Sequence, residues 1–256
     1  MLQIRRKLVV WLLLFTVFTA CVEDGVDFNP DLSNPGVAGQ AGSFASFIVV
    51  DGYLYALNGL SLKTFRLGGL GELFEVNALA LNVELETIFP YGDRLLIGSR
   101  ESVLFLDIST PDTPVLLSTY DHITSCDPVV ASNNIAYSTL RSTRCRRGNA
   151  DQLDVIDFSD INNPTILRSY NVNAPLGLAV VDEFLFLCQD NGLTMYGASN
   201  PENLVTLGRI SFDNATALDV IPTEDFLIVT TNRGVFNVAY TDLGDMQVLG
   251  QIIATQ

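Results

Sequence analysis

Leu106-Asp107-Ile108-Ser109-Thr110-Pro111-Asp112-Thr113-Pro114-Val115-Leu116-Leu117-Ser118-Thr119-Tyr120 aligns without a gap on Ile156-Asp157-Phe158-Ser159-Asp160-Ile161-Asn162-Asn163-Pro164-Thr165-Ile166-Leu167-Arg168-Ser169-Tyr170. A third copy, Tyr196-Gly197-Ala198-Ser199-Asn200-Pro201-Glu202-Asn203-Leu204-Val205-Thr206-Leu207-Gly208, brings Ser199 into correspondence with Ser109 and Ser159. Self-similarity at a period of about 40 residues signals a propeller or a solenoid. Upstream of each copy lie two short apolar runs joined by a polar turn, as in Leu178-Ala179-Val180-Val181, Asp182-Glu183, Phe184-Leu185-Phe186-Leu187. Such runs, rich in β-branched and aromatic residues and separated by Asp, Asn or Gly, read as hairpins. The same module recurs at 47–57, 87–98, 129–138 and 217–230, which makes five copies.

Each copy supplies four strands: an inner one, a second after a tight turn, a third ending in Asp-x-Ser, and a fourth such as Val115 to Tyr120. Four-stranded units repeated around an axis bury both faces of each sheet between neighbours and protect the sheet edges. The reading is therefore an all-β, five-bladed propeller over 43–256, with units at about 43–80, 81–121, 122–171, 172–212 and 213–256. Unit one starts and unit five ends at nearly the same phase, so no blade is expected to share strands from both termini. Ring closure is expected to rest on face-to-face packing.

The phrase Asp-x-Ser, a polar stretch, Asn-Pro and a short apolar strand resembles the LVIVD repeat of bacterial secreted propellers. Val155-Ile156-Asp157-Phe158-Ser159 and Leu104-Phe105-Leu106-Asp107-Ile108-Ser109 carry the likeness best. Units one and five read Phe65-Arg66-Leu67 and Ala239-Tyr240-Thr241 instead, so half of the domain matches by motif and the rest by periodicity. The resemblance implies a fold and a surface location, and no reaction.

The motif residues Asp107, Ser109, Pro114, Asp157, Ser159 and Pro164 read as turn formers. Asp and Ser at a strand's end accept backbone N–H bonds, and Pro presets φ before the next strand. Recurring once per blade, they sit around a ring and do not converge as an acid or a nucleophile would have to. The single histidine, His122, has only Cys126 nearby in sequence, too little for a triad or a tetrahedral metal site. No metal ligand set, cofactor or catalytic residue is expected.

Unit three departs from the repeat. Where other units have tight turns such as Asn191-Gly192, it carries Arg141-Ser142-Thr143-Arg144-Cys145-Arg146-Arg147-Gly148-Asn149-Ala150. A hairpin turning at Ser132-Asn133-Asn134 sets Cys126 opposite Arg141, so a disulfide from Cys126 to Cys145 is within reach in an oxidising compartment. Arg141, Arg144, Arg146 and Arg147 then form a candidate ligand-binding loop, since guanidinium groups pair bidentately with carboxylates and phosphates. The alternative is that they pair with the protein's own excess of acids. Cys188, flanked by apolar residues, reads as a small buried hydrophobe.

At the N-terminus, Arg5-Arg6-Lys7 precede an uncharged apolar run from Leu8 to Ala20 and then Cys21. This is a secretory signal pattern, too short for a permanent membrane span. Val17-Phe18-Thr19-Ala20-Cys21 resembles the lipobox of bacterial lipoproteins, with Phe18 where Leu is usual, and implies a lipidated Cys21. Glu23-Asp24 just behind it resembles the surface-export signal of Bacteroidota lipoproteins. Residues 1–20 would be the signal peptide and 21–42 a turn-rich flexible tether. The implied location is the bacterial outer membrane, lipid-anchored, with the cell surface a further step.

The formal charge is −15, and losing Arg5, Arg6 and Lys7 makes the mature chain more acidic still. Such a body repels nucleic acid and anionic lipid. Two functions remain open on sequence: a membrane-tethered binding scaffold for a protein or glycan partner, and an extracellular polymer hydrolase or lyase with carboxylates near the axis. A deep axial pocket with convergent acids would mark the enzyme, and a filled axis the scaffold.

Overall fold

The computed structural model describes residues 42–121, 128–141, 151–189 and 191–254. Across these residues the chain forms twenty strands in five four-stranded antiparallel sheets, each built in chain order, and no helix. Blade 1 holds β1 (Phe47–Val50), β2 (Tyr53–Asn58), β3 (Ser61–Leu67) and β4 (Leu73–Ala80). Blade 2 holds β5 (Leu85–Tyr91), β6 (Arg94–Ser99), β7 (Ser102–Asp107) and β8 (Val115–Asp121). Blade 3 holds β9 (Val129–Ser132), β10 (Ile135–Leu140), β11 (Gln152–Asp157) and β12 (Thr165–Asn171). Blade 4 holds β13 (Leu178–Val181), β14 (Phe184–Gln189), β15 (Gly192–Gly197) and β16 (Val205–Ser211). Blade 5 holds β17 (Ala217–Pro222), β18 (Leu227–Thr231), β19 (Gly234–Tyr240) and β20 (Met246–Ile253). The five-bladed all-β reading of the sequence is the observed fold.

Local chemistry sets the hairpins. Asp51 (φ 49°) with Gly52 (φ 78°), and Asn133 (φ 52°) with Asn134 (φ 61°), place two consecutive residues in the left-handed region. That is the type I′ geometry whose twist matches paired strands, and it fixes the registers Val50↔Tyr53 and Ser132↔Ile135. One device is invisible in the motif. Every pairing of third and fourth strands slips at the same place, between Thr64/Phe65, Phe105/Leu106, Val155/Ile156, Met195/Tyr196 and Asn237/Val238. A bulge there increases local twist and bends the outer strand.

Four apolar cores fill the junctions between successive blades. Tyr55 and Leu62 meet Leu95 and Leu106 between blades 1 and 2. Phe105 meets Phe158 between blades 2 and 3, Leu153 meets Leu185 between blades 3 and 4, and Phe186 meets Val229 between blades 4 and 5. Because both faces are covered, the second and third strands of blades 2, 3 and 4 are buried almost residue by residue, whereas the outer strands alternate with solvent.

Closure differs from the expectation of face-to-face packing. Among the described residues no apolar core joins blade 5 to blade 1. The pairs Leu62↔Leu79, Val103↔Tyr120, Leu153↔Tyr170 and Leu193↔Ile210 each help to seal the junction to the following blade. At the same register in blade 5, Val235 is half-buried and its partner Ile252 is 76% exposed. On the opposing side Phe47 is 60% exposed, and Val49, Leu54 and Phe65 are only half-buried. Blades 1 and 5 have the apolar pattern of a fifth junction without the packing.

Candidate functional site

Strand direction sorts the loops onto two faces. The turns between first and second strands share a face with the Asp-x-Ser loops. The turns between second and third strands share the other with the links from blade to blade.

On the motif face the loops are tightly self-bonded. Asp107 Oδ1 accepts the Ser109 N–H at 2.7 Å and Asp157 Oδ1 the Ser159 N–H at 2.8 Å. Hydrogen bonds from Ser109, chiefly its backbone N–H, hold the Asp107 carboxyl below its ordinary range, and bonds from Ser159, chiefly its hydroxyl, do the same for Asp157. A second turn of the same kind follows, with Asp160 accepting from Asn162 N–H and Asn200 from Glu202 N–H, both at 3.1 Å. Ser109 and Ser159 are exposed, Pro114 is buried and Pro164 half-buried just ahead of β8 and β12.

These loops also join blade to blade. Two residues after each motif serine, the carbonyls of Pro111, Ile161 and Pro201 accept a hydroxyl from the preceding blade: Tyr55 at 3.3 Å, Ser118, and Tyr170 at 3.3 Å. Tyr170 Oη in turn accepts the Leu204 N–H at 2.9 Å. In blades 2, 3 and 4 the repeated motif thus presents one backbone acceptor to the preceding blade. Beside it, between blades 3 and 4, lies a shallow groove of about 470 Å³ lined by Asn133, Tyr137, Asp182, Glu183 and Ser199.

On the opposite face Arg141 follows β10 and is half-buried. Arg144, Arg146, Arg147, Cys126, Cys145, His122 and Cys21, on which the expected arginine loop, disulfide and lipidation rest, all lie outside the described residues. A groove of about 370 Å³ on this face is lined by Phe212, Asp213, Arg233, Phe236 and Gln251. Cys188 is fully buried, and burial pushes its thiol well up, as does the nearby Asp219 carboxylate to a lesser degree. That makes it a poor nucleophile.

The most organised polar cluster lies where the inner strands converge, and sequence reasoning did not single it out. Asp219, the third residue of β17, is 9% exposed. Its Oδ1 accepts the Ser43 hydroxyl at 2.7 Å, the Ser43 N–H at 3.3 Å and the Val220 N–H at 3.0 Å, while Oδ2 accepts the Phe44 N–H at 3.4 Å. Ser43 Oγ also accepts the Leu178 N–H of β13 at 2.9 Å, and Ala45 O accepts the Ile88 N–H of β5 at 2.9 Å. Three consecutive residues, Ser43 to Ala45, therefore touch the inner strands of blades 2, 4 and 5, which places them at the axis.

Burial raises the Asp219 carboxyl above its ordinary range, and the hydrogen bonds led by the Ser43 hydroxyl only partly offset this. Glycines make the room. A Cβ on Gly42 would lie 2.0 Å from Asp219 Oδ2, and one on Gly177 would lie 2.1 Å from Oδ1. The available signal was an acid interrupting the apolar run Leu218-Asp219-Val220-Ile221. Among the described residues no three His, Cys, Asp or Glu side chains cluster as a metal site.

The fold defines the class: a five-bladed β-propeller. Solved structures that it resembles include bacterial propeller-like proteins. A protein from Lactobacillus plantarum superposes with a TM-score of 0.62 at 15% identity, over 79% of this chain and 68% of that one. The periplasmic gluconolactonase of Pseudomonas aeruginosa gives 0.62 at 14%, over 78% and 67%. AztD from Citrobacter koseri gives 0.56 at 10%, over 77% and 58%. At these identities the likeness is one of fold. No family model matches the chain, and no curated protein matches it.

Proposed function

We propose that this chain is a lipid-anchored cell-envelope propeller of the LVIVD-repeat kind, acting as a non-enzymatic binding scaffold. The observation that carries the proposal is the state of the axis. Asp219, a carboxylate where the inner strands converge, is occupied by its own chain's donors, four of them within 3.4 Å. An acid that must deliver or take a proton from a polymer needs an open line to it, and residues 42–45 occupy that line. The hydrolase or lyase reading asks for two carboxyls about 5 to 10 Å apart facing substrate, whereas the Asp219 carboxyl faces donors of its own chain. What is left for recognition is the loop surface, and the arginine-rich insertion between β10 and β11 is a basic stretch in an otherwise acidic repeat region.

Two experiments test this reading. Replacing Cys21→Ser should move the protein from the membrane fraction to the soluble one and abolish acyl labelling, and unchanged fractionation and labelling would end the anchor proposal. For recognition, envelope extracts are passed over immobilised wild type and the Arg144→Glu/Arg146→Glu variant. A partner retained by the first and lost by the second supports the scaffold, and identical retention removes the arginine loop as its site.

A further inference from the structure

We infer that residues Gly42–Ala45 are a strap that closes the ring, and that unseating Ser43 from Asp219 opens the propeller between blades 5 and 1 while leaving the four apolar cores intact. Each of the four packed junctions has a core of fully buried side chains. Three of them add a hydroxyl-to-carbonyl tie through the motif loop. The fifth junction has neither among the described residues. In its place the strap crosses the axis and binds blade 4 through Leu178, blade 5 through Asp219 and blade 2 through Ile88.

Its seat is specific. Ser43 is 2% exposed and both donates to Asp219 and accepts from Leu178, so one hydroxyl bridges two blades. Phe44 packs its ring on the core between blades 4 and 5. The glycines at 42 and 177 admit the strap and the carboxylate to the same small space. Hydrogen bonds to a shielded carboxylate are strong while made and leave a costly orphan when broken, so the strap behaves as a latch with a seated and an unseated state. The inference rests on neither lipid attachment nor partner binding and stands or falls apart from them.

Hydrogen exchange read by mass spectrometry tests it on the full mature chain, comparing wild type, Ser43→Ala, Asp219→Ala, and Ser118→Ala as a control at the junction of blades 2 and 3. Subglobal openings appear as faster exchange in contiguous segments. The expected result is exchange at least about tenfold faster (1.4 kcal/mol per factor of ten) in peptides spanning 47–58 and 217–231 for the strap variants, with 95–107 and 153–157 unchanged. The Ser118→Ala control should leave the 47–58 and 217–231 peptides at the wild-type rate. Acceleration of the same size in all five blades, or none in blades 5 and 1, overturns the inference. Should Asp219→Ala fail to fold, Ser43→Ala, which removes a single hydroxyl, decides alone.

Discussion

Gly177→Ala places a methyl group where the structure has no room for one. The new Cβ would lie 2.1 Å from Asp219 Oδ1, 2.8 Å from its Cγ and 2.7 Å from its Cα. The two clashes with the side chain can be relieved by rotating Asp219, which then forfeits the Ser43 hydroxyl at 2.7 Å and leaves buried donors unpaired. Losing a hydrogen bond to a charged group costs about 1.5 to 3 kcal/mol. The clash with the backbone yields only if β13 and β17 separate, against the Gly177 N–H bond to Leu218 O at 2.9 Å. Overpacking of this kind costs about 1 to 3 kcal/mol. The stiffer unfolded chain returns about 0.4 to 1 kcal/mol. The net expectation is a loss of at least about 1.5 kcal/mol, or at least about 3 to 6 °C in Tm for a domain of this size.

A double-mutant cycle in urea separates this account from general intolerance of the site. Asp219→Ala removes both side-chain clashes and spares the backbone one, so Gly177→Ala should cost about 1 to 2 kcal/mol less in that background. Gly192→Ala, whose Cβ meets Ile210 O at 2.5 Å and no part of Asp219, should add to Asp219→Ala within about 0.5 kcal/mol. A cost below about 1 kcal/mol for Gly177→Ala, or strict additivity with Asp219→Ala, would refute the reasoning.

Acidity offers a second prediction. A carboxyl whose native pKa is raised binds its proton more tightly folded than unfolded, so its contribution is full at low pH and is lost as pH rises through the native pKa. Asp219→Asn should therefore gain stability relative to wild type as pH rises from the ordinary aspartate range toward neutrality, measured as the difference in urea midpoint. Asp107 and Asp157, lowered by their serines, run the other way: their support is present above the ordinary range and lost as pH falls, so Asp157→Asn should narrow the wild type's advantage in acid. A flat difference for Asp219→Asn across that window would count against burial as the dominant influence. Among the ties, Tyr170→Phe strands the Leu204 N–H and should cost about 1 to 2 kcal/mol, whereas Tyr91→Phe, whose bonds to Asn134 are exposed, should stay within about 0.5 kcal/mol; equal effects would refute the role assigned to the joint.

Features that repeat, or that act over a few positions, are legible from the residues alone. The copies ending in Ser109, Ser159 and Ser199 make the period visible, alternating runs with Asp, Asn and Gly between them make hairpins, and five such modules make five blades. Each depends on neighbours a few residues apart, so composition and spacing are enough. The rest depends on contacts between blades. The motif carbonyls at Pro111, Ile161 and Pro201 are ties only because a hydroxyl from the preceding blade arrives there. Blades 1 and 5 carry the same apolar pattern as the others, yet Phe47 and Ile252 stay exposed, because burial depends on which sheet stands opposite and no pattern within a blade encodes that. Asp219 meets Ser43 across 176 positions of chain, and Gly42 and Gly177 matter only once that carboxylate stands beside them. Pairings so distant, between residues that occur once each, leave no period to read.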